Sequence, residues 1–531
     1  MSHSMVTPSY YLFYRSSLDT QDLAVTKKMG EVDYIYTLAS NQMLWIAQGW
    51  KIIGYDRIME WSRDPKMARY KNDLLSTADG IKYILGEAEE KVLNLKSRPL
   101  SLANSLHDEL TGSYEYTMKI DGVEKNLTEE EVRSYRQHTD RNIRRESYES
   151  LRRVYNSKQT QITLGNIYTS IVKDWSSEIT MRGYPDNVMA GRNISEEMDD
   201  EVVDMLLTEV EGAYPLYQRF LRAKAKMIGL QDDFSVYDIG APLGIVDKNF
   251  TFDEAYDLHL SVMRDFDSEF YDYSMRMIEE ERIDALPQAG KRGGAYASYR
   301  KGEESFVLLN FTGKLRDVST ISHELGHAIH GYLSQGQEAP VYDSALSMAE
   351  TASIFAEMLL GEKVKSLVTA EEYKEYLNER LGDIFATIFR QVQYVAFERE
   401  VHTQIHSGEE LSYKDLNILW RSHQDKLYGG VVAYDINAES ESGWSMIPHI
   451  YHTPFYCYAY AFGNLLTFAL YNKVQDGSLS KEDYKDILRS GGSERPRYLL
   501  ARYGIDIASP EFYQSGLREV EKMVEEFEKM V

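Results

Sequence analysis

Residues 322–330 read Ser322-His323-Glu324-Leu325-Gly326-His327-Ala328-Ile329-His330 and contain the pattern H-E-x-x-H. On an α-helix, residues four apart lie one turn above each other on the same face. His323 and His327 can therefore bind one metal ion, and Glu324 can reach a water molecule beside that ion. Two imidazoles, a third protein ligand and an open position for water are the arrangement of catalytic zinc sites. The motif predicts a hydrolase that binds one zinc ion.

The sequence around the motif predicts that it lies on a helix. Asp317 is in place to cap a helix over Val318 to Ile329, a stretch without proline and without a glycine pair. Gly326 in the interior of that helix costs about 1 kcal/mol relative to alanine. This cost indicates that another part of the chain approaches that face closely.

The third ligand distinguishes classes of zinc hydrolase. One class has a further histidine six residues after the second histidine of the motif, but Leu333 occupies that position. A carboxylate downstream remains as the third ligand. The candidates are Glu338, Asp343, Glu350 and Glu357.

Glu350 is the preferred third ligand. It lies in the run Ser347 to Leu360, which is rich in alanine, leucine and methionine and predicts a helix that ends at Gly361. A carboxylate among apolar neighbours is costly to bury unless it is paired or binds a metal ion. Glu357 follows two turns later and is expected to orient a ligand of the metal.

A second group of polar residues lies in Trp444 to Asn464. Pro454 is expected to begin a helix there, with Thr453 as its cap, and His449 and His452 are expected in the preceding loop. Imidazole N–H and phenolic O–H groups can donate hydrogen bonds to the oxygen that becomes negative when a peptide bond is attacked.

The tyrosines of this helix are harder to assign. Tyr456 and Tyr460 share one face, whereas Tyr458 points elsewhere. Such a stripe is also typical of a buried core. The spacing alone leaves open which of the three hydroxyls stabilises the oxyanion.

Composition excludes several classes of function. The net charge of −25 argues against a nucleic acid as partner, because binding phosphates requires a basic surface. No run approaches eighteen apolar residues, so we expect no membrane span. A single cysteine, Cys457, fits a reducing compartment, and the amino terminus has no signal-peptide pattern, so we expect a cytoplasmic protein.

The chain reads as helical with small β inserts. Residues 114–127 predict a β-hairpin with an Asp121-Gly122 turn, and residues 294–311 predict a second hairpin directly before the metal motif. We expect an N-terminal helical lobe over residues 1–185 and a catalytic region over residues 186–531, with the two lobes intertwined.

The sequence resembles the oligoendopeptidase F family, relatives of thimet oligopeptidase. The resemblance is carried by H-E-L-G-H-A-I-H at 323–330, A-E-T-A-S-I-F-A-E at 349–357, G-K-R-G-G-A-Y at 290–296, and I-P-H-I-Y-H at 447–452 followed by F-Y-C-Y-A-Y at 455–460. It implies a zincin-like endopeptidase that cleaves short peptides in a deep channel within a two-lobed helical shell.

The resemblance also implies roles for the second group of residues. His449 and Tyr456 are expected to stabilise the oxyanion, and His452, Tyr458 and Tyr460 to contact substrate. Two alternatives remain open. One is an exopeptidase with the same zinc chemistry, and the other is a peptide-binding protein with a structural metal site. Oligomeric state is not predicted.

Overall fold

A computed structural model describes residues 2–244 and 248–531 of the chain. Most of these residues lie in α-helices, and the strands are few and short. The prediction of a mainly α-helical protein with small β inserts is confirmed. No helix in the described part of the chain has both the length and the apolar character that crossing a membrane requires.

The described residues form 24 α-helices. In chain order they are α1 Ser2–Leu18, α2 Leu23–Gln42, α3 Leu44–Ile53, α4 Tyr55–Ser62, α5 Lys71–Ile81, α6 Glu87–Gly112, α7 Glu129–Ser134, α8 Arg141–Tyr155, α9 Lys158–Arg182, α10 Ala190–Ser195, α11 Asp200–Gly212, α12 Tyr214–Met227, α13 Phe252–Phe266, α14 Ser268–Glu279, α15 Leu315–Leu333, α16 Thr351–Val364, α17 Ala370–Ile384, α18 Arg390–His406, α19 Tyr413–Tyr428, α20 Pro448–His452, α21 Tyr458–Gln475, α22 Lys481–Arg489, α23 Pro496–Ala501 and α24 Pro510–Glu528.

The strands form two small sheets. β1 (Tyr116–Ile120) and β2 (Val123–Leu127) make the first predicted hairpin, whose turn residues Asp121 and Gly122 both have positive φ, as a two-residue type I′ turn requires. The second sheet contains β3 (Ile283–Asp284), β4 (Tyr296–Ser298) and β5 (Phe306–Leu308). β4 and β5 pair antiparallel as predicted, whereas the parallel pairing of β3 with β5 was not predicted.

The chain folds into two compact units, each built from separated segments. Unit 1 contains Met1–Ile84, Val246–Val368 and Lys473–Gly504; unit 2 contains Leu85–Ile245, Thr369–Asn472 and Ile505–Val531. The division expected between residues 185 and 186 therefore lies inside unit 2. Gly183 ends α9 in a left-handed conformation, so this break terminates a helix and does not separate the units.

In unit 1, α15 packs against α13, α16 and α22, and β4 lies along it. The closest approach is at Gly326, where an added Cβ would lie 2.5 Å from the Cα of Ser353 in α16. The expected close contact at this glycine is thus present, and it holds the H-E-x-x-H helix against the helix that follows Glu350.

In unit 2, α9, α18 and α20 pack around a second core that is rich in aromatic residues. It includes Tyr168, Phe397, Trp444 and Tyr451, all of them buried. Ile450 and Tyr451 belong to this core, which therefore anchors α20.

Candidate metal centre

Helix α15 carries the H-E-x-x-H motif and is capped differently from the prediction. Lys314 is the N-cap residue, and Asp317 is the third residue of the helix. The Asp317 carboxylate reaches back and accepts hydrogen bonds from the backbone N–H groups of Thr312 (2.7 Å) and Lys314 (3.1 Å). Asp317 therefore still satisfies free amides at the helix start, but from inside the first turn.

The two histidines of the motif and Glu350 converge at one point. The Nε2 atoms of His323 and His327 are 3.2 Å apart. Oε2 of Glu350 lies 3.4 Å from Nε2 of His323 and 3.3 Å from Nε2 of His327. Bond lengths of about 2.0–2.2 Å to a tetrahedral zinc ion place its ligand atoms roughly 3.4 Å apart, so the three atoms fit such an ion.

Glu350 is presented by the start of α16. It occupies the N-cap position, and the helix continues through Gly361 to Val364, so the prediction of a helix that begins at Ser347 and ends at Gly361 was wrong at both ends. Ser353 Oγ donates a 2.7 Å hydrogen bond to Oε2 of Glu350. This bond fixes the carboxylate rotamer.

Glu357 orients His323 from the other side of the ring. Its Oε1 lies 2.5 Å from Nδ1 of His323. When Nδ1 carries the proton of this hydrogen bond, Nε2 of His323 has its lone pair free toward Glu350. A carboxylate behind a metal-binding imidazole fixes the tautomer and raises the basicity of the ligand nitrogen.

The other two candidate third ligands lie elsewhere. Glu338 forms an ion pair with Arg69 at 2.6 Å, and the Asp343 side chain is exposed. Among the described residues, the carboxylate grouped with the two motif histidines is Glu350.

The charges around the site favour a cation. Burial lowers the pKa of His323, but Glu357, Glu350 and Glu324 outweigh it and raise that pKa to about 9. Burial raises the pKa of Glu350, but His327, His323 and Ser353 outweigh it and lower that pKa to about 2. The negative charge of these carboxylates is therefore directed at the point where the two imidazoles and Glu350 meet.

Glu324 is almost fully buried, with 7% of its surface exposed, next to the two histidines. Burial raises the pKa of its carboxyl group, and the two imidazoles and the backbone N–H of Ala297 in β4 partly offset that effect. A carboxylate with a raised pKa beside a metal site can accept a proton from water.

The second predicted group lies in unit 2 and is arranged around a turn. His449 and His452 lie in the short helix α20, with Pro448 as its first residue, and α21 begins at Tyr458. The prediction of a helix that begins at Pro454 was therefore wrong. Pro454 lies in the turn between α20 and α21.

Three side chains of this segment form a cluster. The rings of His449 and Tyr456 are nearly parallel, with centroids 6.0 Å apart, and Tyr456 meets Tyr460 edge-on at 5.1 Å. Tyr460 Oη lies 3.4 Å from Nε2 of His449. All three side chains are half-buried. Burial, followed by the charge of His452, lowers the pKa of His449, so its imidazole is neutral near pH 7.

Tyr458 and His452 are placed differently from this cluster. Tyr458 is fully buried, so its ring offers no surface to a substrate. His452 Nε2 lies 2.8 Å from Oδ1 of Asp108, which also lies 3.1 Å from Nδ1 of His107. These separations are those of hydrogen bonds. His107 and Asp108 were not predicted, because they come from α6, more than three hundred residues earlier in the chain.

The model of "Peptidase family M3" matches residues 134–519. The chain is 30% identical over 413 residues to "Oligoendopeptidase F, chromosomal" of Lactococcus lactis subsp. cremoris, a match that covers 77% of this chain and 67% of the relative. It is 25% identical over 530 residues to "Oligopeptidase PepF" of Bacillus subtilis, covering 98% of this chain and 78% of the relative.

Among solved structures, oligoendopeptidase-F from Enterococcus faecium superposes with a TM-score of 0.76 at 19% identity. The match covers 99% of this chain and 90% of that one. At this identity the likeness shows a shared fold.

Proposed function

This chain belongs to peptidase family M3, and on that premise we propose that it is a zinc-dependent endopeptidase that hydrolyses internal bonds of short peptides. The observation that carries the proposal is the convergence of His323, His327 and Glu350 within 4.8 Å, with Glu324 adjacent. Two imidazoles and one carboxylate are a ligand set of catalytic zinc sites. They would hold one ion per chain.

A zinc ion bound there would supply a Lewis acid that polarises the scissile carbonyl and lowers the pKa of a nearby water molecule. Glu324 accepts a proton from the attacking water and later donates it to the nitrogen of the leaving amine. The raised pKa of Glu324 suits the first step, because a more basic carboxylate takes a proton from water more readily.

His449 and Tyr456 are the proposed donors to the developing oxyanion. A neutral imidazole and a phenol each provide one hydrogen-bond donor, and one such donor contributes about 3 kcal/mol. Tyr460, whose Oη lies 3.4 Å from Nε2 of His449, remains a proposed substrate contact beside this pair. His452 is exposed and remains a proposed substrate contact, whereas the burial of Tyr458 removes it from that role.

The substrate class follows from the relatives, which are named oligoendopeptidases and oligopeptidases. Short peptides are therefore the proposed substrates. The single cysteine fits a reducing compartment, and we place the activity in the cytoplasm.

The experiment compares the wild-type enzyme with Glu324→Gln on an internally cleavable fluorogenic peptide that is blocked at both ends. We expect the wild type to cleave this peptide, and the variant to lose about 10²- to 10⁴-fold in kcat while it keeps its zinc. Cleavage of peptides with free ends only would indicate an exopeptidase. A zinc-loaded wild type that cleaves neither kind would indicate a peptide-binding protein. Near-native turnover by Glu324→Gln would contradict the role of Glu324.

A further inference from the structure

Phe455 lies in a backbone conformation that bulky residues rarely adopt. Its φ is +63°, and it is fully buried. The other non-glycine residues with positive φ in the described part of the chain are aspartate and glutamate. A left-handed conformation at a bulky residue persists only when its surroundings enforce it, and such residues cluster at functional sites. Phe455 directly precedes Tyr456.

The peptide group before Phe455 is held at both ends. The N–H of Phe455 donates a 2.9 Å hydrogen bond to Oε1 of Glu398 in α18. The carbonyl oxygen of Pro454 accepts a 3.0 Å hydrogen bond from Nε of Arg192 in α10. This N–H and this carbonyl belong to one planar peptide unit, so the two side chains fix its orientation. Both lie in unit 2 together with the turn.

The Phe455 ring is also fixed. Its centroid lies 4.5 Å from that of His402, one turn after Glu398, and 5.8 Å from that of Trp175 in α9. The backbone at Phe455 therefore cannot relax to a negative φ without pushing the ring against these neighbours.

Among the described contacts, the hydrogen bond that the Glu398 side chain makes is the one it accepts from the Phe455 N–H. Only 1% of its surface is exposed, and burial raises its pKa to about 8, although the Phe455 N–H and Arg192 oppose that rise. A buried carboxyl group is costly. A carboxyl group accepts from the Phe455 N–H in either protonation state, because one oxygen remains an acceptor.

We propose that Glu398 and Arg192 are positioning residues for catalysis, which hold the Pro454–Phe455 peptide so that the ring of Tyr456 lies parallel to His449. The inference rests on the proposed function, because it assigns the two residues to the oxyanion donors. Neither side chain contacts the reacting atoms in this scheme. Each acts through the turn.

The experiment measures kcat, KM, zinc content and melting temperature for Glu398→Ala and Glu398→Gln. Loss of the acceptor in the alanine variant should lower kcat about 10- to 100-fold with KM and zinc content unchanged, since a misplaced donor weakens transition-state binding only. Glutamine keeps an acceptor oxygen at the same place and should restore kcat to within about threefold of wild type.

Glu375→Ala is the matched control. Glu375 is also buried in unit 2, and its carboxylate accepts hydrogen bonds from the backbone N–H groups of Leu243 and Gly244. It lies on α17, beside a different loop. We expect the Glu375→Ala variant to have a lower melting temperature and an unchanged kcat. Arg192→Met, at the opposite end of the held peptide, gives a second variant if Glu398→Ala does not fold, and it should show the same fall in kcat.

A double-mutant cycle separates positioning from general stability. If Glu398 acts through Tyr456, then Glu398→Ala should lower kcat by less than about threefold in a Tyr456→Phe background, because coupled residues are not additive. Full additivity, or native kcat in both Glu398→Ala and Arg192→Met, would overturn the inference. Failure of the proposed function would look different, because the wild type itself would then be inactive, or Tyr456→Phe alone would be fully active.

Discussion

Oε1 of Glu357 lies 2.5 Å from Nδ1 of His323, although the two residues are on different helices. Glu357 lies in α16, seven residues after its N-cap residue Glu350. The two carboxylates therefore lie at different nitrogens of the His323 ring, Glu350 toward Nε2 and Glu357 at Nδ1. The metal centre thus depends on how α15 and α16 pack.

Removing Glu357 should weaken zinc binding without removing a ligand. We expect Glu357→Ala to raise the zinc dissociation constant about 10- to 100-fold, because His323 loses the partner that fixes its tautomer and its orientation. Competition with a chromophoric chelator measures this change. Glu338→Ala is the control, since its carboxylate is paired with Arg69, and it should bind zinc as the wild type does. Equal dissociation constants for all three proteins would exclude the proposed role of Glu357.

Adding a methyl group at Gly326 should separate the two helices. The new Cβ in Gly326→Ala would lie 2.5 Å from Ser353 Cα, and backbone cannot yield as a flexible side chain can. We expect the free energy of unfolding to fall by about 1–3 kcal/mol, together with weaker zinc binding. Gly336→Ala, which meets nothing within 4 Å, should leave both unchanged. Denaturant unfolding of the two variants tests this, and a native stability for Gly326→Ala would refute the tight contact.

Removing one phenolic hydroxyl in unit 2 should affect turnover selectively. Tyr456→Phe should lower kcat by about 10²-fold with little change in KM, because it removes one donor that acts in the transition state. Tyr458→Phe is matched in chemistry, but its ring is fully buried, so kcat should stay native. Steady-state kinetics on one peptide decide the matter. A larger loss in Tyr458→Phe than in Tyr456→Phe would reverse the assignment.

The stability of the chelated protein should depend on pH through His323 and Glu350. The pKa of His323, about 9, is above its usual value of 6.5, so its stabilisation is complete below pH 6.5 and is lost as the pH rises through 9. The pKa of Glu350, about 2, is below its usual 4.5, so its stabilisation is present above pH 4.5 and is lost as the pH falls through 2.

The measurement is the difference in melting temperature between zinc-loaded and chelated protein. Between pH 6.5 and 9 this difference should grow, because only the chelated form loses the stabilising proton on His323. Titrating groups away from the metal centre behave alike in both forms and cancel in the difference. A difference that shrinks over this range would contradict the raised pKa.

Local patterns in the sequence predicted those parts of the molecule that depend on local geometry. His323 and His327 share a face because they are four apart on a helix, and the Asp121-Gly122 turn defines the β1–β2 hairpin. The choice of Glu350 rested on its apolar neighbours, and the structure brings it to the two histidines.

The remaining features depend on contacts between distant parts of the chain. β3 is two residues long and pairs with β5 across more than twenty residues, which leaves no periodic pattern to detect. Each unit is assembled from three separated segments of the chain. A single boundary such as 185–186 therefore cannot divide the chain into the two units. Pro454 was expected to begin a helix but lies in a turn. Arg192 donates a hydrogen bond to its carbonyl oxygen, and Glu398 accepts one from the next N–H, that of Phe455. Neither Arg192 nor Glu398 is near Pro454 in sequence.

The most direct measurement is anomalous diffraction at the zinc absorption edge from crystals of enzyme with proven peptidase activity. We expect one peak per chain, at about 2.0–2.2 Å from Nε2 of His323, Nε2 of His327 and a carboxylate oxygen of Glu350. Active crystals without a peak at that point, or with the ion held by other residues such as Glu338, would contradict the metal centre on which catalysis is proposed to depend.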